Sequence, residues 1–144
     1  MVDVIDRGEP AMMLCHWTGI YWNGQELGFT IFKEVVRRLH ARYDHLLWMK
    51  LSELSRYWAA KELTRVERSG ASLTLRAPYA CPAFTVRIDR AASAPSHEAG
   101  GRLAQLTPVQ KPTELVPNRF WRDGESVVVC IDLPKGSSTL RLTV

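Results

Sequence analysis

The sequence predicts an α/β unit followed by an antiparallel, β-sandwich-like domain. Within residues 11–62, two short apolar runs alternate with two helical patterns across short connections, which is typical of a βαβα unit with parallel strands. After Leu63 the chain changes to short alternating segments with turn signals roughly every ten residues, which is typical of a sandwich. We therefore expect one domain over residues 1–62 and a second over residues 63–144.

The composition is that of a globular protein that exposes its charges to water. The 144 residues are 46% apolar and 24% charged, with a net charge of +4. The basic residues are dispersed among acidic ones, without a block of five like charges or a nucleic-acid-binding motif, so we expect no nucleic-acid partner. The start lacks the apolar core of a signal peptide and no run approaches the roughly 18 apolar residues of a membrane helix, so a cytoplasmic location without membrane contact is the default expectation.

The first half contains the predicted βαβα unit. Residues 11–15 form a continuous apolar run that fits a buried strand, and residues 16–24 form a loop with Asn23-Gly24 as a turn signal. From Glu26 a helical apolar stripe begins, and residues 46–50 give a second short strand before a helix capped by Ser52. Two such strands need neighbouring strands to form a stable sheet. The residues of the stripe are Phe32, Val35, Val36, Leu39 and Tyr43.

The second half is predicted to form hairpins and one long loop. Ser69-Gly70, Asp123-Gly124 and Lys135-Gly136 mark turns between alternating strands. Residues 91–101, rich in Ala, Ser and Gly, are expected to form a mobile loop. The three cysteines show no metal-type spacing; Cys15 and Cys130 lie in apolar runs, so we expect reduced, buried thiols.

The candidate site lies directly after the first predicted strand. His16 stands where α/β folds place catalytic side chains, and a histidine can act as general acid or base near neutral pH. Trp17, Tyr21 and Trp22 follow, and such rings can stack on the apolar faces of sugars. The structural alternative is a loop histidine with rings that only cover the sheet.

Leu14-Cys15-His16 after an apolar strand resembles the last conserved motif of polysaccharide deacetylases, the NodB-homology carbohydrate esterases. The helix ending at residues 39–43 and the segment Leu47-Trp-Met-Lys-Leu-Ser-Glu-Leu54 are similar to the end of that domain. The resemblance implies that residues 1–62 are the C-terminal part of a (β/α) barrel and that His16 is the catalytic acid. It also implies a divalent metal, typically zinc, in a complete family member.

The chain departs from that family in its metal site. The family's Asp-Asp and His-x-x-x-His motifs are absent, and a catalytic zinc needs three protein ligands. We therefore expect no cofactor in this chain, a C-terminal portion of a deacetylase-like esterase that is inactive alone, and self-association or a partner chain that completes the barrel. The alternative is a non-catalytic carbohydrate-binding or protein-assembly module that uses residues 16–24.

Overall fold

The computed structural model describes residues 1–89 and 94–142, and the chain divides into two compact units, Met1–Leu47 and Trp48–Val144. The described residues combine helices with two sheets, so the protein is of the α+β type with a sandwich-like sheet arrangement. The helices are α1 (Val2–Asp6), α2 (Trp17–Ile20), α3 (Leu27–Arg42) and α4 (Leu51–Leu63).

The first unit is built on α3, whose 16 residues extend about 24 Å at 1.5 Å per residue. The predicted apolar stripe is confirmed: Leu39 and the following Tyr43 are buried, while Phe32, Val35 and Val36 are half-buried. Helix α1 is attached near the C-terminal end of α3, where the Tyr43 hydroxyl donates a hydrogen bond of 2.6 Å to Asp6 Oδ1. The charged Lys33, Arg37 and Arg38 face solvent.

The two strands predicted at residues 11–15 and 46–50 are not formed. Neither segment pairs with another among the described residues, and a strand without a neighbour cannot satisfy its backbone groups in a ladder. Most of their apolar side chains are consequently exposed, with 84% of Leu14 and 86% of Leu47 accessible. The prediction that Cys15 is buried is wrong for the same reason, because its burial depended on that strand.

The second unit contains nine strands within the described residues. The first sheet has the order β1-β2-β9-β4-β5 and the second the order β3-β8-β7-β6. Neighbouring strands are antiparallel, except that β6 and β7 run parallel. A 3-10 turn at Pro112–Glu114 separates β6 from β7. The strands are β1 (Arg65–Ser69), β2 (Ser72–Ala77), β3 (Cys81–Ile88), β4 (Pro95–Ala99), β5 (Arg102–Gln105), β6 (Thr107–Val109), β7 (Arg119–Asp123), β8 (Ser126–Leu133) and β9 (Gly136–Leu142).

The core of this unit comes from side chains at alternate strand positions, as a sheet with one solvated face requires. Leu75, Val129 and Leu140 are completely buried on three different strands. The hairpins predicted at Ser69-Gly70 and Asp123-Gly124 are confirmed by the antiparallel pairs β1–β2 and β7–β8. Strand β8 is buried along most of its length, and Cys130 on it is a free, buried thiol as expected.

Helix α4 packs against β3, an edge strand of the second sheet. Ala60 is fully buried in the core cluster, and the hydroxyls of Tyr57 and Thr85 lie 2.5 Å apart. The helix begins one residue before the predicted cap, with Lys50 at the N-cap position; the Lys50 backbone N–H donates to Glu53 Oε2 at 2.7 Å. Covering an edge in this way protects its backbone groups from pairing with another chain.

The long loop predicted at residues 91–101 is wrong over much of its length. Pro95–Ala99 forms β4, an interior strand that pairs with both β9 and β5. Its sequence, PSHEA, has a low β propensity. Strands β9 and β5 nevertheless pair with it on both sides, and such tertiary context overrides the local preference. Residues 91–93 of the predicted loop lie outside the described residues.

Candidate functional site

The four predicted site residues lie within one short stretch of the first unit, residues 16–22, here called the aromatic segment. Helix α2 forms a single turn within it, and the backbone N–H groups of Gly19 and Ile20 donate to the His16 carbonyl at 3.0 and 3.1 Å. His16 has an extended backbone at the N-cap of this turn. The segment is therefore an ordered turn with His16 at its start.

Two aromatic rings of the segment contact each other directly. The ring centroids of Trp17 and Tyr21 lie 4.8 Å apart with the planes inclined by 48°. Their spacing of four residues places them on the same face of the turn, where side chains i and i+4 meet. Trp17 is nevertheless 74% exposed. The pair thus presents an apolar surface to solvent instead of covering a core.

Trp22 is positioned by the turn that follows it. Asn23 and Gly24 both have positive φ, 50° and 76°, and the Gln25 N–H donates to the Trp22 carbonyl at 2.8 Å. Asn-Gly favours this kind of two-residue turn because both positions tolerate positive φ. Trp22 is 63% exposed, so all three rings named from the sequence are accessible.

A close backbone contact holds the aromatic segment against α3. A Cβ atom added to Gly28, in the first turn of α3, would lie only 1.9 Å from the Gly19 carbonyl oxygen. Only glycine permits this approach. Gly28 was not identified from the sequence. The signal that could have found it is a glycine directly after Leu27 at the start of a helix. Because glycine has a low helix propensity, its presence there indicates another structural requirement.

The His16 imidazole is exposed, and among the described residues it has no hydrogen bond or ion pair to another side chain. A general acid or base normally has a second group that fixes its tautomer and orientation. The aromatic segment therefore places a histidine next to apolar rings, and no orienting partner for it lies in the described part of the chain.

The described residues do not bring together side chains that could bind a metal ion. Within residues 1–89 and 94–142, no group of three His, Cys, Asp or Glu side chains lies close enough to hold a metal. Catalytic zinc requires three such ligands. The described residues do not fit the metal that the deacetylase resemblance implies.

Further apolar side chains of the first unit are exposed outside the aromatic segment. Met12, Leu14, Leu27 and Ile31 are all more than half exposed. Isolated exposed apolar residues are common on protein surfaces, whereas large contiguous apolar patches mark binding surfaces. None of the helices in the described ranges has the length and apolarity needed to cross a membrane.

Comparison with known proteins identifies no relative. No protein-family model, no curated protein and no solved structure matches the chain.

Proposed function

We propose that this chain is the C-terminal portion of a polysaccharide deacetylase-like carbohydrate esterase, in which the aromatic segment contacts the glycan and His16 lies beside its acetyl group. In this proposal the chain supplies the catalytic-acid histidine but lacks the metal-binding motifs, and it has no esterase activity alone. The observation that carries the proposal is the exposed group of Trp17, Tyr21 and Trp22 next to His16.

The rings have the properties that sugar recognition requires. Sugars present flat faces of C–H groups, and aromatic rings bury these faces while the hydroxyls at the rim stay hydrated. The Trp17 and Tyr21 rings are in contact, and the Asn23-Gly24 turn orders the backbone beside Trp22, so part of the freedom that binding removes is already restricted. A preformed aromatic surface of this kind suits a chain of several sugar units.

Two apolar segments that belong to neither sheet support the idea of an incomplete unit. Residues 11–15 and 46–50 each precede a helix, as barrel strands do, yet they have no ladder partners among the described residues. Neighbouring strands supplied by the missing part of a barrel, or by another chain, would pair with these segments and cover Leu14 and Leu47.

Two measurements on the purified chain test this proposal. We expect no acetate release from N-acetylated chito-oligosaccharides, with or without added zinc, whereas metal-dependent release would contradict the predicted inactivity. In NMR spectra of the chain, the same oligosaccharides should shift the indole N–H signals of Trp17 and Trp22 and the imidazole signals of His16. Deacetylated oligosaccharides, used as the control, should shift the His16 signals much less.

The second candidate is a non-catalytic carbohydrate-binding or protein-assembly module. It is favoured by the absence of an orienting partner for His16 among the described residues. The variant His16→Gln separates the candidates: an esterase portion loses its preference for acetylated over deacetylated oligosaccharides, while a binding module keeps the affinity of both. Binding of no oligosaccharide, together with concentration-dependent self-association in sedimentation, would favour assembly.

A further inference from the structure

A row of polar side chains crosses the outer face of the first sheet. Arg65 on β1 lies directly opposite Arg76 on β2, and Arg76 lies directly opposite Ser137 on β9. Directly opposite residues share a face of a sheet, with Cβ atoms about 5 Å apart. The flanking Leu75 and Ser138 are buried on the inner face, so the three polar side chains point outward.

The same three residues line a groove at the end of these strands. It has a volume of about 520 Å³ and opens to solvent, and its remaining walls are Leu63, Ala77, Pro78 and Gly136. The lining thus combines two guanidinium groups and a hydroxyl with apolar side chains. Ligand sites commonly combine apolar walls with a few convergent polar groups.

The two positive charges in this groove are only partly balanced by the protein. Arg65 makes no ion pair or side-chain hydrogen bond within the described residues. Arg76 is paired only loosely with Glu67, with 3.9 Å between Arg76 Nε and Glu67 Oε2 and both side chains largely exposed. Like charges directly opposite each other on neighbouring strands destabilise a sheet. A bound anion would relieve this repulsion.

We propose that the Arg65–Arg76–Ser137 groove binds the oxyanion group, carboxylate or phosphate, of a small ligand whose apolar body lies against Leu63 and Pro78. Guanidinium groups match the geometry of such groups because their parallel N–H bonds reach two oxygens at once. The groove belongs to the sandwich-like unit, and this inference is independent of the proposed glycan contact.

The test is a titration of the full chain with inorganic phosphate and, separately, with D-glucuronate, at constant ionic strength in chloride. We expect saturable shifts of the Gly136 and Ser137 backbone amide signals in at least one of the two titrations. The probe that binds more tightly identifies phosphate or carboxylate as the preferred group. Absence of saturable shifts at Gly136 and Ser137 with both probes would overturn the proposal without any variant.

Substitution then tests the role of the arginines. Arg65→Gln or Arg76→Gln should raise the dissociation constant at least tenfold, because each removes a charge-assisted hydrogen bond. The matched control is Arg68→Gln, which removes the same charge from the same strand but from its other face. It should change the dissociation constant by less than about twofold. An equal loss in this control would show attraction by net charge alone and would contradict the proposed site.

Discussion

Gly19 and Gly28 are in backbone contact, so that a Cβ atom on Gly28 would lie 1.9 Å from the Gly19 carbonyl oxygen and 2.8 Å from Ile20 Cα. The contact joins α2 to the first turn of α3 and thereby holds the aromatic segment in place. The relationship is asymmetric, because a Cβ atom on Gly19 would meet nothing within 4 Å. A substitution at Gly28 should therefore disrupt the contact, and the same substitution at Gly19 is its control.

We predict that Gly28→Ala displaces α2 from α3. A methyl group cannot occupy the site without backbone movement, and overpacking of this kind typically costs about 1–3 kcal/mol. Near-ultraviolet circular dichroism should show the loss of the fixed Trp17–Tyr21 arrangement. Gly19→Ala should preserve that spectrum and leave stability equal or slightly higher, because alanine reduces the entropy of the unfolded chain. Identical spectra for wild type and Gly28→Ala would show that the contact does not position the rings.

The attachment of α1 gives a second prediction. The Tyr43 hydroxyl donates to Asp6 Oδ1 at 2.6 Å, and Arg42 Nη2 lies 3.1 Å from Asp6 Oδ2. Tyr43→Phe removes the hydrogen bond and keeps the ring, which should lower the free energy of unfolding of the first unit by about 1 kcal/mol. Hydrogen exchange of the α1 amides should accelerate, while exchange in β8 stays unchanged. Unchanged protection of α1 would mean that the Tyr43–Asp6 hydrogen bond does not hold this helix.

The pH dependence of the second unit gives a third prediction. His97 on β4 is only 5% exposed, and its Nε2 is buried without a hydrogen-bond partner among the described residues. Burial lowers the pKa of His97 below its usual value of 6.5, against the opposing effect of the Asp132 carboxylate. The unfolded chain therefore binds more protons below about pH 6.5, so stability is retained above that pH and falls as the pH drops towards the folded pKa.

The variant His97→Leu should remove this contribution. Urea unfolding followed through the sandwich-like unit should show a shallower decline in stability between pH 7 and pH 5 than in wild type. The difference cannot exceed about 1.4 kcal/mol per pH unit for one group. His45→Gln, at an exposed position of the first unit, serves as the control and should leave the decline unchanged. Parallel declines for wild type and His97→Leu would contradict the prediction.

Local signals were enough to predict α3, α4 and the hairpins at Ser69-Gly70 and Asp123-Gly124, whereas the short helices α1 and α2 were not predicted. The stripe of α3 follows a strict helical period, and Asp123-Gly124 has the turn chemistry that a hairpin requires, so each is encoded within a few residues. Strand β4 was missed because its stability comes from pairing with β9 and β5 on both sides. Partner strands elsewhere in the chain leave no signal in the residues of β4 itself.

The opposite error occurred at residues 11–15 and 46–50. Apolar runs of this length are compatible with buried strands, but sequence pattern cannot show whether a neighbouring strand exists. The positions of Trp17, Tyr21 and Trp22 on an accessible turn are consistent with the proposed binding role, whereas the Gly19–Gly28 contact that fixes this turn required the structure.

The most direct test of the proposed function is a tryptophan-fluorescence titration of the full chain with N-acetylated chito-oligosaccharides, compared with Trp22→Ala. A second comparison uses Trp58→Ala, which removes an exposed tryptophan of α4 outside the aromatic segment. We predict a saturable change in wild type and in Trp58→Ala, and its loss in Trp22→Ala. Absence of a saturable change in wild type, or an unaltered one in Trp22→Ala, would contradict glycan binding at the aromatic segment.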